Sequence, residues 1–293
     1  MASTYLTYTP SSAGNQQKWT FSAWIKKCNL ATDAGFLGFW VNSTNYFQAR
    51  FRSDDTIAFG NKDGGSWTTE LIPNRKFRDT HGYYHVVFQY DSAQSTSSDR
   101  ASMWINGVKE TSFAASTYPS QNANTKIPNS GYAIEVGRAK KDSSTYYLDG
   151  IMSHVHFCDG YAYQASDFGS TDATTGEWKI KTSPSVSYGT NGFFLLKDDN
   201  AVTDRSGQGN NFTLGAGTLT KTEDNPSNVF CTLNPLSTTL GWTISNGNNT
   251  FNGGSIQDWK GGVGGTLGAS SGKYYWEVKW TGGDDYSILG VIP

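Results

Sequence analysis

Apolar residues recur at every second position in a series of short segments, and this alternation constrains the fold more than any other sequence feature. Alternation places the apolar residues on one face of a β-strand, and no long segment has the spacing of an amphipathic helix. The pattern predicts an all-β, antiparallel two-sheet sandwich. The predicted inward faces are Trp19, Phe21, Ala23 and Ile25; Tyr84, Val86, Phe88 and Tyr90; Ala101, Met103 and Ile105; Tyr132, Ile134 and Val136; and Ile151, Val155 and Phe157.

Two local signals add detail to this strand pattern. Asn106-Gly107 predicts a tight hairpin between residues 102–105 and 108–113, because both central positions of a type I′ turn require positive φ. Residues 164–168 are compatible with a single turn of helix.

Charge and hydropathy exclude two classes of protein. The 293 residues carry a formal net charge of −2, and only 16% of them are charged. No block of Lys or Arg forms the basic stripe that nucleic-acid binding requires. No apolar run is long enough to cross a bilayer, and the first residues lack the basic and apolar regions of a secretory signal. We therefore expect neither nucleic-acid binding nor membrane insertion.

The cysteines predict no cross-links. Cys28, Cys158 and Cys231 are odd in number and lack CxxC spacing, so they predict neither a disulfide framework nor a zinc site. Buried free thiols in a protein assembled inside a reducing cell are the expected interpretation.

The last quarter of the sequence changes character. Gly215, Gly217 and the pairs Asn225-Pro226 and Asn234-Pro235 interrupt any regular element, which predicts a connector over residues 216–236. Strands are predicted over residues 271–280 and 287–292, too few to enclose a core. We therefore expect one domain over residues 1–215, and an incomplete second β-sandwich over residues 237–293 that belongs to a longer parent protein.

Several segments carry family resemblances. Residues 21–26, 82–87, 103–108, 134–138 and 148–155 resemble, in this order, strands of laminin-G-like, concanavalin-A-like jelly rolls, although Tyr83 stands where that family usually has Trp. Residues 159–162, 166–169, 175–179, 188–194 and 231–236 resemble large structural proteins of marine tailed bacteriophages, including cyanophages. Residues 271–292 resemble the opening of a SPRY domain. These resemblances imply a jelly roll on the surface of a virion.

The order of the motifs suggests a circular permutation. Residues 192–195 and 204–211 resemble the segment that usually begins a laminin-G-like domain, and here they come last. We expect residues 192–214 to supply the strand beside residues 5–8, with residues 193–196 in the same sheet as that N-terminal strand. The termini of sandwiches lie close together, which makes such an arrangement feasible.

Catalytic and metal-binding residues are sparse. Glycoside hydrolysis requires two carboxylates facing one sugar bond, but the acidic residues stand alone or as adjacent pairs whose side chains diverge, so we expect no enzyme. His154 and His156 have the spacing of metal ligands, although no third ligand is evident. Related folds often hold calcium with loop aspartates, which implies a calcium site drawn from Asp142, Asp149 and Asp204, or from the neighbouring Asp198 and Asp199.

Aromatic residues in or beside the predicted loops are candidates for stacking on sugars, although many aromatic residues of a sandwich are buried in its core. The candidates for a glycan site are Trp40, Tyr46, Trp67, Tyr118, Tyr146 and Tyr161.

Three functions remain open from the sequence. The first is a non-enzymatic virion protein, such as a tail fibre, tail-associated adhesin or capsid decoration, exposed on the particle surface. It would assemble as a homo-oligomer with other virion proteins and bind a host surface glycan. The second is a secreted bacterial lectin or adhesin, which should carry an export signal. The third is a glycan hydrolase, which lacks the expected carboxylate pair.

Overall fold

Strands dominate the part of the chain that the computed structural model describes, which is residues 3–197, 201–238, 242–253, 262–282 and 289–290. They are β1 (Tyr5–Tyr8), β2 (Lys18–Lys27), β3 (Ala34–Asn42), β4 (Asn45–Phe51), β5 (Ile57–Asp63), β6 (Ser66–Pro73), β7 (Tyr84–Asp91), β8 (Ala101–Ile105), β9 (Val108–Lys109), β10 (Phe113–Thr117), β11 (Ile134–Val136), β12 (Arg138–Lys141), β13 (Ser144–Tyr147), β14 (Gly150–Asp159), β15 (Gly169–Thr171), β16 (Trp178–Ile180), β17 (Phe193–Leu195), β18 (Thr213–Ala216), β19 (Thr243–Ser245) and β20 (Thr250–Asn252). One turn of α-helix, α1 (Ala165–Phe168), and two 3-10 turns, Ser97–Asp99 and Pro235–Ser237, accompany them.

Two antiparallel sheets form the sandwich. The eight-stranded sheet has the order β10-β6-β5-β4-β3-β11-β1-β18, and the six-stranded sheet has the order β17-β14-β2-β7-β8-β9. Three short hairpins, β12–β13, β15–β16 and β19–β20, lie outside these sheets. The architecture confirms the predicted all-β, jelly-roll sandwich.

The core follows the alternation in the sequence. In β2, for example, Trp19, Phe21 and Ile25 are fully buried between the sheets. Each such large side chain stabilises the fold by about 1.5–3 kcal/mol. The predicted inward faces are confirmed apart from two residues: Tyr132 is exposed, and Ile151 lies outside the core. The second error has a local cause, because β14 contains a bulge between Ser153 and His156 that shifts the register against β2.

The outer face of the six-stranded sheet is also covered. Residues 160–190 cross this face, and α1 buries Phe168 against side chains that point out of the sheet. A capping box holds the helix turn, with the Asp167 carboxylate accepting from the Gln164 backbone N–H. The predicted helix turn is therefore confirmed. The hairpin at Asn106-Gly107, where φ is 48° and 82°, is confirmed for residues 108–109, whereas Phe113 begins β10, which pairs with β6 in the other sheet.

The pairing of the last strands differs from the prediction. Strand β18 pairs with β1, so a late segment does lie beside the N-terminal strand. Strand β17 instead pairs with β14 in the opposite sheet, so the expected placement of residues 193–196 in the same sheet as β1 is wrong. Phe193 and Leu195 enter the core from the six-stranded sheet, and Phe194 stacks on His156 on its outer face. Alternation identifies the faces of a strand but not the sheet that receives it.

Residues of the predicted connector return to the sandwich. The Lys26 side chain is fully buried, and its Nζ lies 2.7 Å from Asp224 Oδ2 and 3.3 Å from Thr232 Oγ1. The Tyr83 hydroxyl donates to the Asp224 carbonyl at 2.8 Å. Further along, the Asn248 side chain donates to the Cys28 carbonyl at 3.1 Å. Described residues on both sides of position 236 therefore contact the jelly roll directly.

The predicted strand over residues 271–280 is wrong. Residues 273–280 join no sheet, and Tyr274, Trp276 and Trp280 are exposed. A strand requires hydrogen-bonding partners, and none of the described residues supplies them. Of the second predicted strand, over residues 287–292, only residues 289–290 lie within the described ranges.

The cysteines agree with the prediction only in part. All three are free, and Cys28 and Cys158 are buried, whereas Cys231 is exposed. Burial raises the pKa of the Cys28 thiol to about 12, which leaves it neutral and unreactive. None of the helices in the described residues is long and apolar enough to cross a bilayer.

Removal of the Asp224 carboxylate should destabilise the whole sandwich. Asp224→Ala leaves the Lys26 ammonium buried without its partner, for which we expect a loss of about 3–5 kcal/mol in the free energy of unfolding. Urea denaturation measures this loss. The control is Asp63→Ala, which breaks the more exposed ion pair with Lys126 and should cost about 0–1 kcal/mol. Equal, small losses in both variants would show that Asp224 does not hold the connector in place.

Candidate functional site

Three adjacent strands of the six-stranded sheet form the floor of a surface hollow of about 470 Å³. Its polar floor comes from residues that alternate with the core residues and so point outward. Lys18 of β2 lies opposite Asp91 of β7, and Gln89 of β7 lies opposite Ser102 of β8. Trp104 of β8 lines the same cavity. We call this cavity the first hollow.

The charges that line the first hollow are paired. Lys18 Nζ lies 3.2 Å from Asp91 Oδ2, and Lys109 Nζ lies 3.6 Å from Asp99 Oδ1. The Lys109 ammonium also lies 5.7 Å from the centre of the Trp104 ring. The hollow therefore offers hydrogen-bonding groups of both kinds without a net charge.

Tyr161 forms one wall of the first hollow. Strand β14 ends at Asp159, and Gly160 turns the chain with a φ of 86°, which a residue with a side chain rarely adopts. The Gly160 N–H donates to the Lys18 carbonyl at 2.9 Å, which fixes the turn against β2. The Tyr161 ring stacks on Tyr163 with centroids 5.8 Å apart, yet the residue is 41% exposed. An aromatic surface is thus presented to solvent beside polar groups.

A second hollow, of about 430 Å³, shares Gly160 and Tyr161 with the first. Its walls are the loops at residues 13–15 and 189–190. The Asp159 carboxylate joins these loops, because it accepts from the Asn15 N–H at 2.6 Å and from the Asn191 N–H at 3.0 Å. Gly189, with a φ of 68°, makes this approach possible, since a Cβ there would collide with the Asp159 carbonyl oxygen.

Three of the six aromatic candidates meet elsewhere, on the outer face of the eight-stranded sheet. Trp40, Tyr46, Lys62 and Trp67 occupy directly opposed positions on β3, β4, β5 and β6. The Tyr46 ring stacks on Trp40 at 5.5 Å and meets the edge of Trp67 at 5.6 Å. Asp142 accepts from the Tyr46 hydroxyl at 3.1 Å and from Lys62 Nζ at 2.7 Å. Because Tyr46 is fully buried and lysines lie over the indoles, this is a packed cluster.

The other candidates have separate surroundings. Tyr146 is half-buried, with the Arg50 guanidinium 4.9 Å from its ring centre. Tyr118 is half-buried against the main core. Of the six candidates, only Tyr161 lines either hollow. Gln89, Ser102 and Trp104 were not predicted as site residues, although their alternation with core residues already placed them on an outer face.

Comparison with known proteins agrees with this architecture. Residues 1–167, more than half of the chain, match the family described as the concanavalin A-like lectin/glucanases superfamily. The chain belongs to this superfamily. A search of curated protein sequences found no match.

Solved structures that resemble this superfamily member are remote in sequence. A heptameric SAP-like pentraxin from Limulus polyphemus is 13% identical, with 56% of this chain and 72% of that chain covered and a TM-score of 0.39. Domains LG4-5 of the mouse laminin alpha1 chain are 9% identical, with 67% and 45% covered and a TM-score of 0.39. The carbohydrate binding module CBM66 from Bacillus subtilis is 15% identical, with 52% and 83% covered and a TM-score of 0.29.

The calcium candidates in this lectin-like fold do not converge. Asp142 is engaged by Lys62, and Asp149 lies beside Cys28, whose N–H its carbonyl accepts. The oxygens of Asp204 accept hydrogen bonds from the backbone N–H groups of Phe194, Ser206 and Asn210 and from the Ser206 hydroxyl. Asp198 and Asp199 lie outside the described residues. Among the residues described, no three His, Cys, Asp or Glu side chains form a group that could hold a metal ion.

The two spaced histidines belong to the packed outer layer. The rings of His154 and His156 lie 5.6 Å and 4.0 Å from the ring of Phe194. His156 Nδ1 is also 2.9 Å from the Tyr188 hydroxyl. Burial, followed by the charge of His154, lowers the pKa of His156, which keeps this imidazole neutral inside the layer.

A Ser–His pair beneath the same layer has the spacing of a nucleophile and base but the wrong tautomer. His85 Nε2 lies 2.9 Å from Ser22 Oγ, and the Trp178 indole N–H donates to His85 Nδ1 at 2.9 Å. Because Nδ1 accepts, the proton of the neutral ring is on Nε2, which then donates to Ser22. The imidazole therefore cannot remove a proton from Ser22, and the pair serves packing.

Acid should weaken the fold through His85. Burial lowers the pKa of His85 from 6.5 to about 3, so the unfolded chain binds a proton at higher pH than the folded chain does. The stabilising effect of the neutral ring is present above pH 6.5 and is lost progressively as pH falls towards 3. Urea denaturation between pH 7.5 and 4 should show this decline.

His85→Gln provides the comparison for this prediction. Its amide keeps one donor and one acceptor but does not titrate, so the decline in stability with falling pH should be shallower than in the wild type. Identical slopes would contradict the assignment of the decline to His85.

Proposed function

We propose that this protein is a non-catalytic glycan-binding protein and that the two hollows flanking Tyr161 form its binding surface. The single observation that carries the proposal is the exposed Tyr161 ring, held by Gly160 and Tyr163 between two cavities lined with polar groups. Ligand sites combine apolar and aromatic surface with a few placed polar groups, and this arrangement has both. The membership in a superfamily of lectins and glucanases supports the same conclusion.

The chemistry of the first hollow suits a sugar. One face of a pyranose ring presents C–H groups that pack against an aromatic ring such as Tyr161. The sugar hydroxyls both donate and accept hydrogen bonds, and Gln89, Ser102 and Asp91 offer partners of both kinds on the floor. Each hydroxyl that enters the hollow can therefore exchange water for a protein partner.

The engagement of the carboxylates supports a binding role rather than a catalytic one. Asp91 and Asp99 both line the first hollow, and each already forms an ion pair, with Lys18 and Lys109 respectively. A glycosidase requires one carboxyl group that donates a proton to the leaving oxygen and a second that attacks or activates water. Both carboxylates of the first hollow are engaged by lysines, so we propose binding without cleavage.

We further propose that the protein acts on the surface of a tailed bacteriophage particle, as a tail fibre, tail-associated adhesin or capsid decoration. The support is the resemblance of residues 159–162, 166–169, 175–179, 188–194 and 231–236 to phage structural proteins. The proposed partners are other virion proteins, further copies of this chain and a host surface glycan. Repeated copies would multiply the avidity of one weak site by about 10²–10⁴. Mass spectrometry of purified particles should detect the chain.

Tyr161→Ala should strongly weaken glycan binding while leaving the fold intact. The variant removes the stacking surface, and we expect at least a tenfold loss of affinity on an array of capsular, lipopolysaccharide and other microbial glycans. The matched control is Tyr132→Ala, because Tyr132 has the same exposed fraction, 41%, but lines neither hollow. Equal binding by the two variants would overturn the assignment of the site.

The same glycans test the absence of catalysis. Incubation with the wild-type protein should release no new reducing ends, and release of product would show that the protein is a hydrolase.

A further inference from the structure

The two hollows are neighbours rather than separate sites. Gly160 and Tyr161 line both of them, so these two residues form the partition between the first and second hollows. Each volume is near the lower end of the range for small-molecule sites, which is about 300–1,000 Å³. A single sugar would occupy one hollow and leave the other filled with water.

We infer that the ligand is an uncharged oligosaccharide that crosses Tyr161 and places sugars in both hollows. This inference rests on the proposed glycan-binding function and adds the length and the charge of the ligand. The sugar above Tyr161 would stack on its ring, and the sugars on either side would bind polar groups. The floor of the first hollow supplies Gln89 and Ser102, and the walls of the second supply Asn15, Asp159 and Thr190.

The charges of the lining residues favour an uncharged ligand. In the first hollow each of the two lysines lies beside an aspartate. Among the described residues that line the second hollow, the charged one is Asp159, which carries a negative charge. Sulfated, sialylated or uronic acid sugars require cationic partners, ideally an arginine fork, to replace their hydration. An anionic sugar would instead compete with Asp91 and Asp99 for their lysines and face Asp159 across the partition.

The spacing of the two hollows is fixed by the fold. The Asp159 carboxylate binds the backbone of both loops that wall the second hollow, and the Asn191 side chain donates to the Ser12 carbonyl at 3.0 Å. The Gly160 N–H ties the partition to β2. A site held in this way needs little reordering on binding, so the second sugar should add affinity instead of being offset by loop ordering.

Calorimetric titration of oligosaccharide ladders tests the inference. The probes are cello-, malto- and manno-oligosaccharides of one to six sugars, fragments of the neutral glycan with the strongest array signal, and sialylated and heparin-derived oligosaccharides. For the wild type we expect at least a tenfold gain in affinity between one sugar and the shortest fragment that reaches both hollows, followed by a plateau. The anionic probes should bind more weakly than neutral probes of equal length.

Two tryptophan variants test whether the gain in affinity with ligand length comes from the second hollow. Ala13→Trp fills the second hollow from its exposed loop, and it should remove the gain in affinity of long fragments over short ones. Ser11→Trp places the same bulk on an exposed residue of the same loop outside the lining, and it should retain the wild-type gain.

The outcomes separate this inference from the proposed function. Tyr161-dependent binding with no gain for longer fragments, or with a gain that Ala13→Trp leaves intact, would overturn the two-hollow ligand but keep glycan binding. A preference for anionic probes would overturn the uncharged ligand. If no glycan binds to the wild-type protein, both proposals fail.

Discussion

Burial of the six-stranded sheet on both faces is the constraint on which the remaining structure depends. Nine of the ten residues of β2 are buried, because the core covers one face of this strand and residues 160–190 cover much of the other. The covering layer meets Gln89 at its margin, where the Gln89 side chain donates to the Tyr163 carbonyl at 3.1 Å, and it leaves a cavity above Lys18, Gln89 and Ser102. The first hollow is the portion of the sheet that remains open, so the position of the candidate site follows from the extent of the layer that stabilises the sheet.

Double-sided burial also explains the polar contacts around the sheet. Outward residues of β2 and β7 that would otherwise meet water are enclosed, and an enclosed polar group without a partner is costly. The chain supplies those partners from distant segments, with Asp224 for Lys26 and Trp178 for His85. The later part of the chain is therefore involved in the stability of the first two hundred residues, and the sandwich is held together by contacts between residues far apart in sequence.

Much of the fold could be predicted from the sequence, but less of the site. Alternation identified the core, because the two faces of a strand differ in polarity, and Asn106-Gly107 identified a hairpin through its backbone requirement. Alternation carries no information on which sheet receives a strand, so the pairing of β17 was missed. It also cannot distinguish an aromatic residue covered by a remote hairpin, such as Tyr46, from one left open, such as Tyr161. The polar floor was missed because many outward residues look alike until the covering layer is known.

The Asp159 carboxylate and the two loops that it joins, which we call the Asp159 clamp, affect how the site can change during evolution. The loops that it joins include Ser12 and Asn191, 179 residues apart in sequence, yet the clamp uses only backbone N–H groups as donors to its carboxylate. The side chains at positions 13 and 190 are exposed and take no part in it. Substitutions there can reshape the second hollow without loosening the joint between the loops. Ligand preference can thus diversify without loss of stability, because other residues hold the two loops together.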